Sequence, residues 1–174
     1  MTETVAAIVA AHRAGTMSPV QTVARSFQRI RDHNDPAVFI SLRDEKQALA
    51  EAEALSAKDP ALLPLYGIPV AVKDNIDALD MPTTAACPAF AYSPSHDATA
   101  VARLRAAGAI IIGKTNLDQF ATGLVGVRSP YGIPKNPLRG DLIPGGSSSG
   151  SAAAVSAGLK AGARRAPAFG GLRP

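Results

Sequence analysis

One stretch limits the folds open to this chain more than any other: residues 143–151, which read IPGGSSSGS and continue directly into the small-residue run AAAVSAG. Pro144 and the two glycines after it allow a tight turn with a close approach of the backbone. The run that follows has good helix formers and little bulk, so it predicts a helix buried against other elements. A flexible Gly/Ser linker is the alternative, but linkers are seldom followed by an apolar run.

The serines of this Gly/Ser loop lie where the predicted helix begins. A helix start offers unpaired amide donors and the positive end of the helix dipole, and both favour a developing negative charge. The loop is therefore a candidate place for chemistry. A phosphate-binding loop is a further alternative, although no lysine follows the glycines as such loops require.

The middle of the chain predicts an α/β fold. A helix with Asp97 as its predicted cap ends at Gly108, and residues 109–114, AIIIGK, then form an apolar strand typical of a sheet covered on both faces. Helix, glycine and apolar strand in succession are a unit of α/β folds. Residues 66–73, YGIPVAVK, predict a second short strand. Further helices are predicted over 4–14, from Ser18 onward and over 44–58, with a brief strand at 38–42.

Both of these strands end on a lysine. Lysine is rarely fully buried without a partner, and burial of Lys73 would lower its pKa and favour the neutral amine that a general base needs. Snorkelling to the surface, or pairing with Asp74 or Asp77, is the structural alternative, and this segment alone leaves both open. Lys114 is followed by a predicted turn and helix cap at residues 115–118, so we interpret it as structural.

Charge and composition favour a globular cytoplasmic domain. The net charge of +4 resides in the tail, because residues 1–159 hold 14 basic and 14 acidic residues. They lack a basic stripe interleaved with aromatics, so no nucleic-acid partner is expected. The single cysteine, Cys87, fits a reducing compartment. No segment approaches the roughly 18 apolar residues of a membrane span, and the histidines lack metal-ligand spacing, so neither a membrane nor a metal is expected.

Three motifs in this order resemble the amidase signature family. Residues 67–75, GIPVAVKDN, are similar to its lysine motif, and residues 144–151, PGGSSSGS, are similar to its Gly/Ser signature. Residues 113–121, GKTNLDQFA, match the segment between them. The resemblance covers a signature region at residues 65–159, preceded by a helical region at residues 1–64. It implies an α/β fold, the N-terminal part of the amidase-signature fold, with a mixed sheet that is covered by helices and is incomplete here.

Within that family, residues 83–90 and 120–132 look most like allophanate hydrolases, which split allophanate into ammonia and carbon dioxide in urea degradation. The resemblance implies a Ser-cisSer-Lys triad in which Lys73 is the base and Ser147 the bridging serine. It also implies a small amide substrate, no cofactor and homo-oligomeric full-length relatives. The resemblance further suggests helix-start, oxyanion or substrate-lining positions for Ser148, Gly123 and Leu124.

The end of the sequence departs from the family pattern. The resemblance puts the acylated serine in a Gly-rich loop near position 171, but the residue there is Gly171, and no Ser, Thr or Cys follows Ser156. Residues 160–174 are dominated by Ala, Gly, Arg and Pro, whose codons begin with two G or C bases. We therefore expect a partial amidase domain over 1–159, a frameshifted basic tail over 160–174, and a chain that is inactive alone. A genuine short paralogue is the alternative origin; a non-catalytic remnant, or an amidase-like partner subunit of an amidotransferase-type complex, is the alternative function.

Overall fold

The computed structural model describes residues 4–159, so the predicted frameshifted tail lies outside the described residues. Two helices come first, and from the second one onward helices and strands alternate, as the sequence predicts. Their bounds are α1 (Val5–Arg13), α2 (Pro19–His33), β1 (Phe39–Leu42), α3 (Glu45–Leu55), β2 (Pro69–Lys73), α4 (Thr99–Ala106), β3 (Ile110–Thr115) and α5 (Ser149–Ser156). None of the helices in residues 4–159 has the length and apolar character needed to cross a membrane.

The three strands form one mixed sheet in the order β1-β3-β2. The central strand β3 runs parallel to β2 and antiparallel to β1. The β2-α4-β3 segment is thus a parallel crossover unit, and it brings the carboxyl ends of β2 and β3 to the same edge of the sheet. There Lys73 pairs in register with Thr115, while Lys114 pairs with Val72. The two strand-end lysines therefore lie one register step apart.

Helices cover both faces of the sheet, which confirms the covered mixed sheet that the sequence predicts. On one face, Ile110 and Ile112 pack against a cluster that includes Val23 and Phe27 of α2. On the other face, Ile111 packs with residues that include Val101 of α4. Each buried isoleucine contributes about 1.5–3 kcal/mol relative to exposure, so the apolar β3 segment anchors both layers.

The predicted start of α2 at Ser18 is confirmed, whereas the predicted cap of α4 is wrong. Ser18 and Gln21 form a reciprocal capping box at the start of α2, and Pro19 occupies its first turn. Asp97 does not cap α4, which begins after Ala98. Its carboxylate instead accepts a hydrogen bond from the Leu79 amide and pairs with Arg105. A loop amide and a guanidinium thus satisfy this carboxylate in place of the helix start.

A long irregular segment connects β3 to α5, and buried polar side chains hold it in place. Asn116 is fully buried. Its side-chain amide nitrogen donates to the carbonyls of Ala37 and Gly132, and its side-chain oxygen accepts from the Ser129 hydroxyl. The backbone carbonyl of Asn116 accepts a hydrogen bond from the Gly150 amide. This network ties the loop to the first turn of α5 and so fixes where the Gly/Ser loop lies relative to the sheet.

Candidate active site

Lys73 and Ser147, predicted as base and bridging serine, meet at the edge of the sheet. Lys73 is the last residue of β2, and Ser147 lies two residues before α5. The Lys73 Nζ donates a hydrogen bond of 2.7 Å to the Ser147 Oγ, across 74 positions of sequence. The Gly146–Ser147 peptide bond is cis. The structure therefore brings the two residues into direct contact.

The surroundings of Lys73 favour its neutral form. Burial lowers the pKa of the Lys73 amine from its ordinary value, and the Asp118 carboxylate opposes this by raising it. The residue as a whole is half-buried. An amine with a lowered pKa is more often free of its third proton near neutrality, and in that form it can accept a proton from the hydroxyl beside it.

Glycines allow the Gly/Ser loop to approach its neighbours this closely. A Cβ on Gly146 would collide with the Asp118 carboxylate, and one on Gly150 would collide with the Val38 carbonyl and the Asn116 amide. The Gly146 amide donates to the Leu124 carbonyl at 3.0 Å, and the Ser147 carbonyl accepts from the Asp118 amide at 3.0 Å. The backbone on both sides of the Gly146–Ser147 bond is thus fixed by hydrogen bonds from residues 118–124.

The other predicted site residues also surround this loop. Ser148 is the N-cap residue of α5, and its side chain makes no capping hydrogen bond with the described residues. Gly123 is buried against Asp118, because a Cβ there would overlap that carboxylate. Leu124 contributes its carbonyl to Gly146 while its side chain is 76% exposed. Oxyanion or substrate contacts for these three residues stay predictions.

Sequence reasoning missed one residue of the site, Asp118. The predicted helix cap at residues 115–118 is wrong, because the Asp118 side chain makes no capping bond to the short 3-10 turn Gln119–Ala121 that follows it in the described chain. Its carboxylate accepts hydrogen bonds from the amides of Val125, Gly126 and Arg128 instead. The signal available in the sequence was an acid followed by a loop with two closely spaced glycines, which can fold back over it.

A protein-family model described as Amidase matches residues 21–164 of this chain. The chain belongs to the amidase family. This confirms the resemblance predicted from the lysine motif and the Gly/Ser signature.

Individual relatives agree with this membership. The amidase-family chain is 58% identical over 126 residues to urea amidolyase of Lachancea kluyveri, a match that covers 72% of this chain and 7% of that protein. It is 46% identical over 152 residues to the A subunit of glutamyl-tRNA(Gln) amidotransferase of Symbiobacterium thermophilum, covering 83% of this chain and 31% of that one. The solved structure of Kluyveromyces lactis allophanate hydrolase superimposes with a TM-score of 0.79 and 42% identity, over 90% of this chain and 26% of that chain. The amidase-family chain thus spans a third or less of the length of each of these relatives.

The second strand-end lysine of this amidase-family chain has a different environment. Lys114 is fully buried, and its Nζ donates to the Pro82 carbonyl at 3.0 Å and to the Thr83 hydroxyl at 3.1 Å. The Asp74 carboxylate, also fully buried, lies 3.7 Å from the same amine. These contacts agree with the structural role expected for Lys114.

The acids next to Lys73 in sequence are engaged elsewhere, which corrects the alternative that Lys73 pairs with Asp74 or Asp77. Asp74 accepts from the backbone amide and the hydroxyl of Thr84 in addition to its pairing with Lys114. Asp77 accepts from the hydroxyls of Thr83 and Tyr92. Within residues 4–159, no three His, Cys, Asp or Glu side chains come together in a group that could hold a metal ion.

Proposed function

We propose that this chain supplies the lysine base and the bridging serine of a Ser-cisSer-Lys amide hydrolase, and that the substrate class is allophanate. The observation that carries the proposal is the 2.7 Å hydrogen bond between the Lys73 Nζ and the Ser147 Oγ. The lowered pKa of Lys73 supports its role as a base. Similarity to a urea amidolyase and to an allophanate hydrolase supports the substrate class. The family resemblance implies that the products are ammonia and carbon dioxide.

In the proposed mechanism, the pair passes protons without accumulating charge on serine. The neutral Lys73 amine takes the Ser147 hydroxyl proton while the Ser147 oxygen takes the proton of a nucleophilic hydroxyl. That hydroxyl oxygen attacks the amide carbonyl and forms a new C–O bond. The proton then returns through Ser147 to the departing nitrogen as the C–N bond breaks, so Lys73 ends each cycle neutral. Water hydrolyses the resulting acyl ester.

The nucleophile is the component that this chain does not provide in the expected position. Its sequence has no Ser, Thr or Cys after Ser156, whereas the family resemblance implies an acylated serine near Gly171. Loss of an activated nucleophile removes most of the rate of a covalent catalyst. We therefore propose that the 174-residue chain does not turn over substrate alone, with a partial amidase domain at 1–159 and a frameshifted basic tail at 160–174.

A chimera provides a direct test of the two proposed roles. Residues 65–159 would replace the matching segment of Kluyveromyces lactis allophanate hydrolase, which supplies the rest of the domain, and ammonia release from allophanate would be measured. We expect the chimera to be active, and Lys73→Ala or Ser147→Ala to lower its kcat by about 10³-fold or more. Lys135→Ala, at an exposed lysine, is the matched control and should leave the rate unchanged.

Two results would contradict the proposal. A folded chimera that keeps its rate after Lys73→Ala would exclude the base role. Ammonia release by the unmodified 174-residue chain, abolished by Lys73→Ala, would exclude the proposed inactivity of the chain and imply a nucleophile within it.

A role as an amidase-like partner subunit is the second candidate, and similarity to a protein that is itself named as a subunit supports it. The A subunit of glutamyl-tRNA(Gln) amidotransferase of Symbiobacterium thermophilum is 46% identical to this chain, in a match that covers 83% of it. The chain would then act as an amidase-like partner within an amidotransferase-type complex. A chimera made with that amidotransferase protein in place of the allophanate hydrolase separates the two: activity there, with none in the allophanate hydrolase chimera, would favour the partner role.

We further propose a cytoplasmic setting with no nucleic-acid partner. The single cysteine and the balanced charge of residues 1–159 support this setting. Self-association of the full-length relatives stays a prediction from the family resemblance, and sedimentation of the purified chain would test whether it shares that property.

A further inference from the structure

We propose that Asp118 is the positioning residue of this site: it holds the Ser147 backbone, orders the loop at residues 123–128 and presents its carboxylate charge to the Lys73 amine. No prediction from the family motifs assigns it a role. The inference rests on the proposed roles of Lys73 and Ser147 and explains how they are kept in register.

The first contact of Asp118 is with the loop that follows it. One carboxylate oxygen accepts the amides of Val125 at 3.2 Å and Gly126 at 2.9 Å, and the other accepts the Arg128 amide at 2.9 Å. The side chain is fully buried. A buried carboxylate with three backbone donors is a strong, directional anchor, because each bond is charge-assisted. The loop at residues 123–128 therefore closes around this one side chain.

The second contact is with the Gly/Ser loop. The Asp118 amide donates to the Ser147 carbonyl at 3.0 Å, and the loop that Asp118 anchors supplies the Leu124 carbonyl to the Gly146 amide. Glycine at position 146 is needed because a Cβ there would collide with the Asp118 carboxylate. Asp118 thus fixes the peptide that carries the Ser147 hydroxyl from two sides.

The third link is electrostatic. The Asp118 carboxylate raises the pKa of the Lys73 amine against the larger lowering by burial. The acid adjacent to Lys73 in sequence, Asp74, is paired with Lys114 of β3, and α5, which follows the Gly/Ser loop, carries no charged residue. Asp118 is therefore the carboxylate that attracts the charged form of the Lys73 amine, while burial lowers its pKa and favours the reactive neutral form.

Titration of Lys73 in the full 174-residue chain tests this inference. Lysine labelled with ¹³C at Cε would report each amine by NMR, and the Lys73 signal would be assigned by its loss in Lys73→Arg. In Asp118→Asn, we expect the pKa of Lys73 to fall below its wild-type value, because the opposite charge that stabilises the ammonium is gone. Asp141→Asn, which removes a charge from an exposed pair with Arg139, should leave the Lys73 titration where it was.

The sign of the shift separates a positioning charge from a merely structural residue. If Asp118 only held the loop closed, its loss would admit water to Lys73 and raise the pKa toward its ordinary value. An unchanged or raised pKa in Asp118→Asn would therefore overturn the inference. The proposed function has its own test in the same data: a wild-type Lys73 that titrates at the ordinary lysine value of 10.5 would count against the base role and leave the Asp118 comparison intact.

Hydrogen exchange in the unmodified chain keeps the inference testable if Asp118→Asn does not fold. The amides of Val125, Gly126 and Arg128 should exchange much more slowly than in an unstructured peptide, because each is bonded to the buried carboxylate. Exchange of these three amides at unstructured rates, while the α5 amide of Ala152 stays protected, would overturn the anchoring role.

Discussion

The ends of strands β2 and β3 each carry a lysine, yet their surroundings give the two amines opposite characters. Lys114 is fully buried, and carbonyl, hydroxyl and carboxylate oxygens surround its amine. Lys73 is half-buried, and its amine donates to the hydroxyl of Ser147. Burial is the largest cause of a lowered pKa in both. The partner, more than the burial, therefore decides whether such a lysine is structural or reactive.

The chemistry of the partners explains this difference. An ammonium group has three donors, and at Lys114 three oxygen-bearing groups lie near it, including a carboxylate that favours the charged form. At Lys73 the bonded partner is a hydroxyl, which can return a proton to the amine once the amine is neutral. The amine of Lys114 is held by three oxygen-bearing groups, including a carboxylate, although burial lowers its pKa, whereas the amine of Lys73 is bonded to a hydroxyl with which it can exchange a proton.

The largest effect that would test this comparison is expected at Lys114. Lys114→Met removes the amine but leaves the fully buried Asp74 carboxylate without its countercharge, and breaking a buried pair in this way costs about 3–5 kcal/mol. We expect the free energy of unfolding, measured by urea denaturation at pH 7, to fall by that amount or the chain to be unfolded. A loss below about 1 kcal/mol would show that the pair is not structural.

The double variant Lys114→Met with Asp74→Asn is the matched control for the charge. An asparagine introduced at position 74 would still offer a side-chain oxygen to the amide and hydroxyl of Thr84, without a buried charge. We therefore expect the double variant to regain part of the stability lost in Lys114→Met. Additive losses from the two substitutions would mean that the residues act independently.

The two lysines also mark how far sequence reasoning reached. The apolar strands, the βαβ order and the family motifs follow from local patterns, so the fold and the pair of Lys73 with Ser147 could be predicted. The carboxylate that lies near each lysine could not be predicted, because it depends on how the loops fold and which acids they bring close. Asp74 and Asp77 are near Lys73 in sequence, yet the carboxylate that raises its pKa is Asp118, which lies just beyond the end of the neighbouring strand β3. Asp97 shows the same limit, because its carboxylate pairs with Arg105 and does not cap α4.

A difference of reactivity between the two amines is the next expected effect. When the folded chain is treated briefly with an amine-acylating reagent over a range of pH, we expect Lys73 to be modified at a pH below the ordinary amine pKa of 10.5, because its pKa is lowered and the residue is only half-buried. Lys114 should stay unmodified until the chain unfolds, since its side chain is fully buried. Mass spectrometry of the digested chain gives each site separately. Equal modification of Lys73 and Lys114 in the folded state would mean that the two amines do not differ in reactivity.

The smallest expected effect is a pH-dependent difference in stability at Lys73. Burial lowers the pKa of Lys73 in the folded chain below its ordinary value of 10.5, so between these two values the unfolded chain binds more protons than the folded one. Stability rises with pH wherever the unfolded state holds more protons, so this residue should contribute increasing stability as the pH is raised through that window. Lys73→Met removes the contribution, and the free energy of unfolding of the wild type minus that of Lys73→Met should therefore grow from pH 7 to pH 10.

The control for this slope is Lys46→Met, which removes an exposed lysine of α3 and leaves Lys73 in place, so the pH dependence due to Lys73 is the part that this control does not reproduce. Lys114 is present in the wild type and in both variants, so its own lowered pKa cancels from the comparison. A flat difference for Lys73→Met would mean that its amine titrates alike in the folded and unfolded chains. The case for a reactive amine at β2 would then rest on the Ser147 contact, without support from the protonation of Lys73.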